Sequence, residues 1–255
     1  YDKTCASEAY EMGVRKFKTA SADLCDLYLH NYLASLAEID IIIATGMATI
    51  NKIESTLRIY KQPLNPILLH CVSEYPCSDH SLNLMALDLM KERFPSNEIG
   101  FSDHSLGFTA AIICASRGYK FFEKHFTLNK NDNGPDHFAS ADVSEMKSYV
   151  DEIRRIDKML GVKIKKVQQE ELGMSSRSKK GIKALINIKK GDPITLENTY
   201  AIRPAEYGIS IDDLENFLSR KAIVDINKDT FINEKFLKLK INFYMLVGEI
   251  LELLD

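Results

Sequence analysis

Two histidines each follow a short β-like run of residues and could bind a metal ion together. One run ends Ser102-Asp-His104, and the next ends Glu123-Lys-His125. A carboxylate near each histidine, Asp103 or Glu123, could orient its ring. Neutral imidazoles, completed by water or a substrate oxygen, suit a first-row divalent metal. Because a single histidine is more often structural, a metal site and two structural histidines both remain open.

Other polar residues at the ends of such runs could bind a phosphate. Lys18 offers a positive charge, and Ser21 and Ser102 offer hydroxyl groups. A solvated lysine and two turn serines explain the same spacing. In the later loop Asn131–His137, a Gly-Pro turn would direct Asp136 and His137 toward the same place, although an ordinary polar loop fits equally well.

The neighbouring residues His70 and Cys71 suggest a base and a nucleophile, but the strand pattern argues against it. Adjacent strand residues point to opposite faces of a sheet, so these two side chains cannot pair directly. We expect Cys71 to be a core residue.

These residues need elements that gather them, and the pattern from the start to about residue 160 is typical of parallel βα units. The β-like runs are Lys16–Ser21, Asp40–Thr45, Ile67–Ser73, Ile99–Asp103 and Tyr119–Phe126. The helical patterns are Asn51–Tyr60, Ser81–Phe94, Gly107–Ser116 and Ser144–Leu160. In a (β/α) barrel the carboxyl ends of the strands form one mouth, so the polar run ends should meet there.

The domain organisation changes after Gly161. We predict a partial barrel over residues 1–162, a connector over 163–175, a small domain over 176–240 and a tail over 241–255. The small domain should contain short strands, turns and one short helix near Ile211–Arg220. Within it, residues 181–191 and 221–229 resemble each other and suggest two similar strand-turn units.

Composition excludes several classes of function. The net charge is -3, from 33 basic and 36 acidic residues without a basic block, so nucleic acid is not expected as a partner. No apolar run approaches the roughly 20 residues of a membrane span. Five cysteines without a C-x-x-C pair argue against a disulfide framework or structural zinc and favour a reducing cytoplasm.

Several motifs in this order resemble the sialic acid (N-acetylneuraminate) synthases and their relatives. The motifs are Ile43–Ala48, Leu68–Pro76, Ile99–His104, Phe122–Thr127 and Gly134–His137. Three segments of the small domain are similar to the antifreeze-like (SAF, β-clip) domain that ends these synthases: Ile182–Gly191, Ala201–Pro204 and Phe217–Ile232. The resemblance therefore implies an α/β fold, a TIM-type barrel followed by an antifreeze-like domain.

The resemblance also implies roles for individual residues. His104 and His125 would bind Mn²⁺ or another divalent metal such as Mg²⁺. The phosphate of phosphoenolpyruvate would be held by Lys18, Ser21 and Ser102. The remaining candidates would lie around the sugar or the reacting carbons, with Glu123 as an acid/base group: Asp23, Ser73, Tyr75, Glu123 and Asp136.

The implied reaction joins phosphoenolpyruvate to an acylated amino sugar, N-acetylmannosamine in the sialic acid case. C3 of phosphoenolpyruvate attacks the open-chain aldehyde, water adds at C2, and phosphate leaves by C–O cleavage. Arg203 matches an arginine that one subunit inserts into the barrel mouth of its partner, which implies a domain-exchanged homodimer. Ala205 and Glu206 depart from the family pattern just after it.

The opening of the chain departs from the family, because Tyr1-Asp2 resembles the end of the third barrel strand. The first three strands would then be absent, and about 160 residues precede the connector where a full barrel takes about 250. We therefore expect an open sheet edge and weak or no catalysis by this chain alone.

Three alternatives remain open at this point. A legionaminic or pseudaminic acid synthase shares every motif, and Ser73, which is asparagine in some members, bears on the choice of sugar. Another metal-dependent phosphoenolpyruvate aldolase is disfavoured by the antifreeze-like segment. A non-catalytic fragment that acts as a binding module is the alternative from a different class.

Overall fold

The computed structural model describes residues 2–239 and divides the chain after Val162 into two compact units. The first unit alternates strands with helices, and the second consists mainly of short strands, bridges and turns.

The first unit contains one parallel sheet of five strands. The strands are β1 (Lys16–Thr19), β2 (Asp40–Ala44), β3 (Ile67–His70), β4 (Ile99–Asp103) and β5 (Phe121–Lys124). They lie side by side in the order of the sequence, and every neighbouring pair is parallel. This singly wound order places all carboxyl ends at one edge, as in part of a (β/α) barrel.

In the described part of this unit, six helices precede, connect and follow the strands and cover one face of the sheet. They are α1 (Lys3–Glu11), α2 (Leu27–Ser35), α3 (Ile50–Leu57), α4 (Ala86–Arg93), α5 (Thr109–Ser116) and α6 (Val143–Leu160). The longest, α6, begins with a capping box in which Asp142 and Glu145 satisfy each other's backbone N–H groups. It ends at Gly161, whose φ of 56° favours glycine.

The hydrophobic core of this unit lies between the sheet and the helices. Ile41, Ile43, Leu68 and Phe101 are fully buried there because alternate strand residues point toward the helix layer. The opposite residues on the same strands point to the concave face. The sequence pattern places Lys18, Ser102 and Glu123 on that face.

All five predicted strands are confirmed; Ile99–Asp103 has the predicted bounds and the other four are shorter. The run predicted as Ile67–Ser73 is a strand only to His70, because the polar residues beyond it leave the sheet. The four predicted helices are confirmed with shifted ends. Helices α1 and α2 were not predicted. Asp26 caps the first turn of α2 by accepting from the N–H groups of Tyr28 and Leu29.

The second unit has its own apolar core around a small antiparallel sheet. Strands β6 (Gly181–Ala184) and β7 (Thr199–Ile202) pair, and Ile182, Ile188 and Ile232 are buried against them. An antiparallel bridge joins Ile188 to Ile226, so the two similar segments contact each other.

Two predictions for the second unit differ from the structure in detail. The short helix predicted near Ile211–Arg220 is a 3₁₀ helix over Ile211–Asn216. The predicted connector, residues 163–175, contains the 3₁₀ turn Gln169–Glu171 and the beginning of α7 (Leu172–Ser178). The predicted tail, residues 241–255, lies outside the described residues.

Two general features agree with the composition. Within residues 2–239, no helix has both the length and the apolar character needed to cross a membrane. The five cysteines are free thiols, and Cys71 is buried as expected. His70 and Cys71 do point apart: Nε2 of His70 lies 2.9 Å from the carbonyl of Leu82, while Sγ of Cys71 lies 3.1 Å from Oγ of Ser21.

Candidate active site

Three rings meet at the carboxyl ends of β3, β4 and β5. The ring centroids of His104 and His125 are 5.4 Å apart and nearly perpendicular. Tyr75, from the loop after β3, lies 4.2 Å from the His104 ring and 5.1 Å from the His125 ring. The structure therefore gathers three residues that the sequence placed at separate strand ends.

A backbone carbonyl, not a carboxylate, orients the ring of His104. Its Nδ1 lies 2.6 Å from the carbonyl oxygen of Val72. A carbonyl only accepts hydrogen bonds, so Nδ1 carries the proton and Nε2 keeps its lone pair. That Nε2 lies 3.3 Å from the hydroxyl oxygen of Ser102. Burial lowers the pKa of His104 and favours the neutral ring.

These observations fit a divalent metal held by two histidines. The neutral Nδ1–H tautomer leaves Nε2 of His104 available, which is the state of a metal-binding imidazole. Within residues 2–239, no three His, Cys, Asp or Glu side chains form a cluster that could hold a metal ion. Such a metal would thus take its remaining ligands from water or from a substrate oxygen, as the resemblance implied.

The two carboxylates proposed to orient the histidines have other partners, so that prediction was wrong. Glu123 Oε1 lies 3.1 Å from the ammonium nitrogen of Lys18. Asp103 accepts hydrogen bonds from the backbone N–H and the hydroxyl of Ser105. Neither carboxylate can compete with the carbonyl of Val72 for Nδ1 of His104.

The other oxygen of Glu123 is a candidate for substrate contact. Oε2 is buried and has no hydrogen-bond partner among the described residues. An unpaired buried carboxylate oxygen is costly, so a ligand hydroxyl or water in the mouth would stabilise it.

Two hydroxyl groups surround a glycine after β2. The backbone N–H of Gly46 donates to Oγ of Ser21 at 3.1 Å, and a methyl group at Gly46 would lie 2.7 Å from Oγ of both Ser21 and Ser73. Cys71 completes this group beside Ser21. The sequence suggested Ser21 and Ser73 separately but not their contact at Gly46, because close packing between strand ends leaves no mark in the local pattern.

Among the described residues of the first unit, Asp23 and Asp136 make no hydrogen bond or ring contact with the histidine pair. Asp23 lies in the 3₁₀ turn Ser21–Asp23, and its backbone carbonyl lies 3.1 Å from Nε2 of His30. Asp136 is exposed, and its carbonyl accepts from Ser140. Arg203 is exposed and lies in the second unit, just after β7. Their predicted roles stay predictions.

A model of the NeuB family matches residues 1–165, which include all five strands and the histidine pair. The chain belongs to the NeuB family. It shares 36% identity over 230 residues with the N,N'-diacetyllegionaminic acid synthase of Campylobacter jejuni subsp. jejuni serotype O:2, covering 88% of this chain and 67% of the relative.

Two further proteins show the range of the NeuB family. The pseudaminic acid synthase of Campylobacter jejuni subsp. jejuni serotype O:23/36 is 34% identical over 72% of this chain and 54% of its own length. The crystal structure of N-acetylneuraminic acid synthetase from Leptospira borgpetersenii serovar Hardjo-bovis, in complex with citrate, is 32% identical with a TM-score of 0.62, covering 68% of this chain and 61% of that chain.

These relatives confirm the partial (β/α) barrel and a sialic-acid-type synthase family. The chain spans between about half and two thirds of the length of these three NeuB-family proteins. Because their names cover three different acids, membership in the NeuB family leaves the sugar substrate undecided.

Proposed function

We propose that this protein is a synthase that condenses phosphoenolpyruvate with an acylated amino sugar and releases phosphate. The observation that carries the proposal is the pairing of His104 with His125 beside Tyr75 in one mouth. NeuB-family membership supports the same reaction class. As part of the proposal, the second unit is an antifreeze-like domain.

The phosphate of phosphoenolpyruvate would bind on the Lys18 side of the mouth. The ammonium group of Lys18 supplies the positive charge, and its partner Glu123 holds it within the mouth before substrate arrives. Oγ of Ser21, fixed by the N–H of Gly46, can donate its proton to a phosphate oxygen. Ser102 is buried beside His104 and would contribute a second hydroxyl.

The sugar would bind on the histidine side. A bound Mn²⁺ or Mg²⁺ would polarise the carbonyl of the open-chain aldehyde. The lone pair on Nε2 of His104 would bind this metal. The hydrogen bond from Nδ1 to the carbonyl of Val72 fixes the orientation of the ring. The Tyr75 ring covers both histidine rings and would pack against the sugar carbons.

The reaction requires protons to move at two atoms. When C3 of phosphoenolpyruvate attacks the aldehyde carbon, the aldehyde oxygen gains a proton and becomes a hydroxyl group. Water that adds at C2 gives up one proton and becomes a hydroxyl group. When the C2–O bond to phosphate breaks, this hydroxyl becomes the keto group, and its proton leaves with the phosphate. We assign the proton transfers to the aldehyde oxygen and from the attacking water to Glu123. Its Oε2 is buried and unpaired among the described residues. Asp136 is a second candidate, from the loop after β5.

The sugar has two equally supported identities within this proposal. N-acetylmannosamine would make the product N-acetylneuraminate, whereas a diacetylated or related sugar would make legionaminic or pseudaminic acid. Ser73 lies two residues before Tyr75 on the loop after β3, so a larger side chain there would change how the sugar is seated against the Tyr75 ring. A Ser73→Asn variant should change the ratio of kcat/KM between two sugars more than it changes the KM for phosphoenolpyruvate.

The direct test is phosphate release from phosphoenolpyruvate with Mn²⁺ and each sugar in turn. The assay is run on this chain and on a fusion that adds the N-terminal segment of a NeuB-family synthase, because the chain spans only part of its relatives. We expect the fusion to release phosphate only with both substrates and to stop on chelation, and this chain alone to show weak release or none. His104→Asn should abolish it, while the exposed control His80→Asn should not.

The binding-module alternative gives a different result. It requires that no sugar elicits phosphate release from either protein while the chain still associates with a second copy.

The proposal also includes a homodimer in which Arg203 reaches the partner's mouth. Arg203→Ala should then raise the KM for the sugar without changing the molecular mass measured by sedimentation.

A further inference from the structure

A buried ion pair lies directly behind the two histidines. Asp103 immediately precedes His104, and Lys124 immediately precedes His125. Because neighbouring strand residues point to opposite faces, the histidines at the mouth leave these two side chains on the helix side. Oδ2 of Asp103 lies 3.1 Å from Nζ of Lys124, and the two side chains are 0% and 4% exposed.

The ion pair links the last paired residues of strands β4 and β5. Asp103 and Lys124 are opposite each other in the register of β4 with β5, and both strands end at these residues. The residue that follows each strand is one of the two histidines. The ion pair therefore clamps the two backbones at the point from which His104 and His125 extend.

Ser105 connects the clamp to the backbone beyond His104. Its N–H and its hydroxyl both donate to Oδ1 of Asp103, at 2.9 and 2.6 Å. Nζ of Lys124 donates to the carbonyl of Ser105. Residues before and after His104 are thus held by the same two side chains, which limits how far its backbone can move.

The aromatic ring of Tyr149 closes the clamp on the helix side. Nζ of Lys124 lies 5.6 Å from the centre of this ring, which comes from α6. Tyr149 is itself buried. Enclosure of this kind keeps water from the pair and makes its geometry rigid.

Stability alone does not explain why charges stand at these positions. Removing two charges from water costs about as much as their attraction returns, and well-packed apolar residues of similar size are often at least as stable. A buried pair does give a specific distance and direction between two backbones, which apolar contacts do not.

We propose that Asp103 and Lys124 are positioning residues that set the spacing and orientation of the His104 and His125 rings for metal binding. The inference rests on the proposed function and deepens it. The clamp acts through the backbone, because each member is covalently adjacent to one of the two histidines and Ser105 follows His104. Removing the clamp should loosen the ring pair although neither histidine is changed.

The test compares the native chain with the double variant Asp103→Asn/Lys124→Met, which leaves no unpaired buried charge. Lys130→Met is the control, because it breaks a nearby but half-exposed pair with Glu145. Mn²⁺ affinity is measured by electron paramagnetic resonance, folding by circular dichroism, and ring separation by crystallography. We expect the folded double variant to bind Mn²⁺ at least tenfold more weakly and its rings to leave the 5.4 Å arrangement, with the control unchanged.

Unchanged affinity and ring separation in the folded double variant would overturn the inference, even if the unfolding midpoint falls. If the double variant does not fold, Ser105→Ala tests the inference instead, because it removes only the 2.6 Å hydrogen bond from the Ser105 hydroxyl to Asp103. A smaller shift of the His104 ring then supports the clamp, and an unmoved ring overturns it. If the native chain does not bind Mn²⁺, the metal part of the proposed function fails. The distance between the two histidine rings in the native chain and in the variants still tests the positioning role of Asp103 and Lys124.

Discussion

The ammonium nitrogen of Lys18 lies 3.1 Å from Oε1 of Glu123, although their strands β1 and β5 form opposite edges of the sheet. In a flat sheet with strands about 4.8 Å apart, four spacings would separate these backbones by about 19 Å. The contact therefore requires a strongly curled sheet. It also places a cation and an anion across the mouth that contains the histidine pair.

Replacing Lys18 should weaken the binding of phosphoenolpyruvate. Lys18→Met removes the charge while retaining a long apolar side chain, and a lost charge-assisted hydrogen bond costs about 1.5–3 kcal/mol. We expect the dissociation constant measured by calorimetry to rise roughly tenfold or more. Lys16→Met is the matched control, because Lys16 lies two residues earlier on the same strand and pairs with the exposed Asp40. Equal effects of the two substitutions would contradict the phosphate role.

Replacing Glu123 should separate binding from turnover. Glu123→Gln removes the negative charge that competes with phosphate for Lys18, while the amide oxygen can still accept a hydrogen bond from Lys18, so the KM for phosphoenolpyruvate should stay the same or fall. The loss of an acid/base group should lower kcat by about 10²-fold or more. Steady-state kinetics with both substrates measure the two effects. Glu152→Gln serves as the control, because this carboxylate pairs with Arg155 on the surface of α6. An unchanged kcat for Glu123→Gln would remove Glu123 from the chemistry.

A methyl group at Gly46 should disturb the phosphate side of the mouth. In Gly46→Ala the new Cβ would lie 2.7 Å from Oγ of Ser21 and of Ser73, closer than real contacts allow. Ser21 must move, so phosphoenolpyruvate should bind more weakly in calorimetry. Gly173→Ala is the control, because no atom lies within 4 Å of its added Cβ. Native affinity in Gly46→Ala would show that Ser21 does not hold the phosphate.

Buried His30 should make stability depend on pH. Its Nε2 donates to the carbonyl of Asp23 at 3.1 Å, so its Nδ1 accepts from the hydroxyl of Tyr60 at 2.6 Å. Burial lowers the pKa of His30 below its ordinary value of 6.5. The unfolded chain then binds a proton more readily than the folded chain as the pH falls through 6.5.

The free energy of unfolding should therefore be highest above pH 6.5 and should decrease as the pH falls below it. Urea titrations between pH 7.5 and 5 measure this slope. His30→Gln should be less stable at pH 7.5 but should lose less stability on acidification. The exposed His80→Gln should keep the native slope. An unaltered slope in His30→Gln would show that other groups dominate the pH dependence.

Much of the fold was predictable because it depends on local patterns. Apolar runs such as Asp40–Ala44 indicate strands, and the alternation with helical periods indicates parallel units. Helix α2 was missed because its nine residues are short and apolar, so the pattern gave little contrast between its faces. Four of the five strand ends were placed too late because polar residues such as Ser73 continue the β-like pattern after the sheet hydrogen bonds stop.

The candidate site was predictable in position but not in its contacts. Parallel strands bring their carboxyl ends together, so the sequence indicated that His104, His125 and Tyr75 would share one mouth. It did not indicate that Val72 orients His104 or that Asp103 pairs with Lys124. Both contacts join segments that are distant in the chain, and their partners depend on how the strand ends are packed.

The sequence by itself determined which residues alternate between the two faces of each strand and which polar groups follow each strand. Those properties depend on the two-residue period of an extended backbone. Only the tertiary structure decided that Lys18 reaches Glu123 across the mouth and that Gly46 leaves room for two serine hydroxyls. These contacts depend on the curvature of the sheet and on packing between strands, which are sums of many non-local interactions and leave no local pattern in the chain.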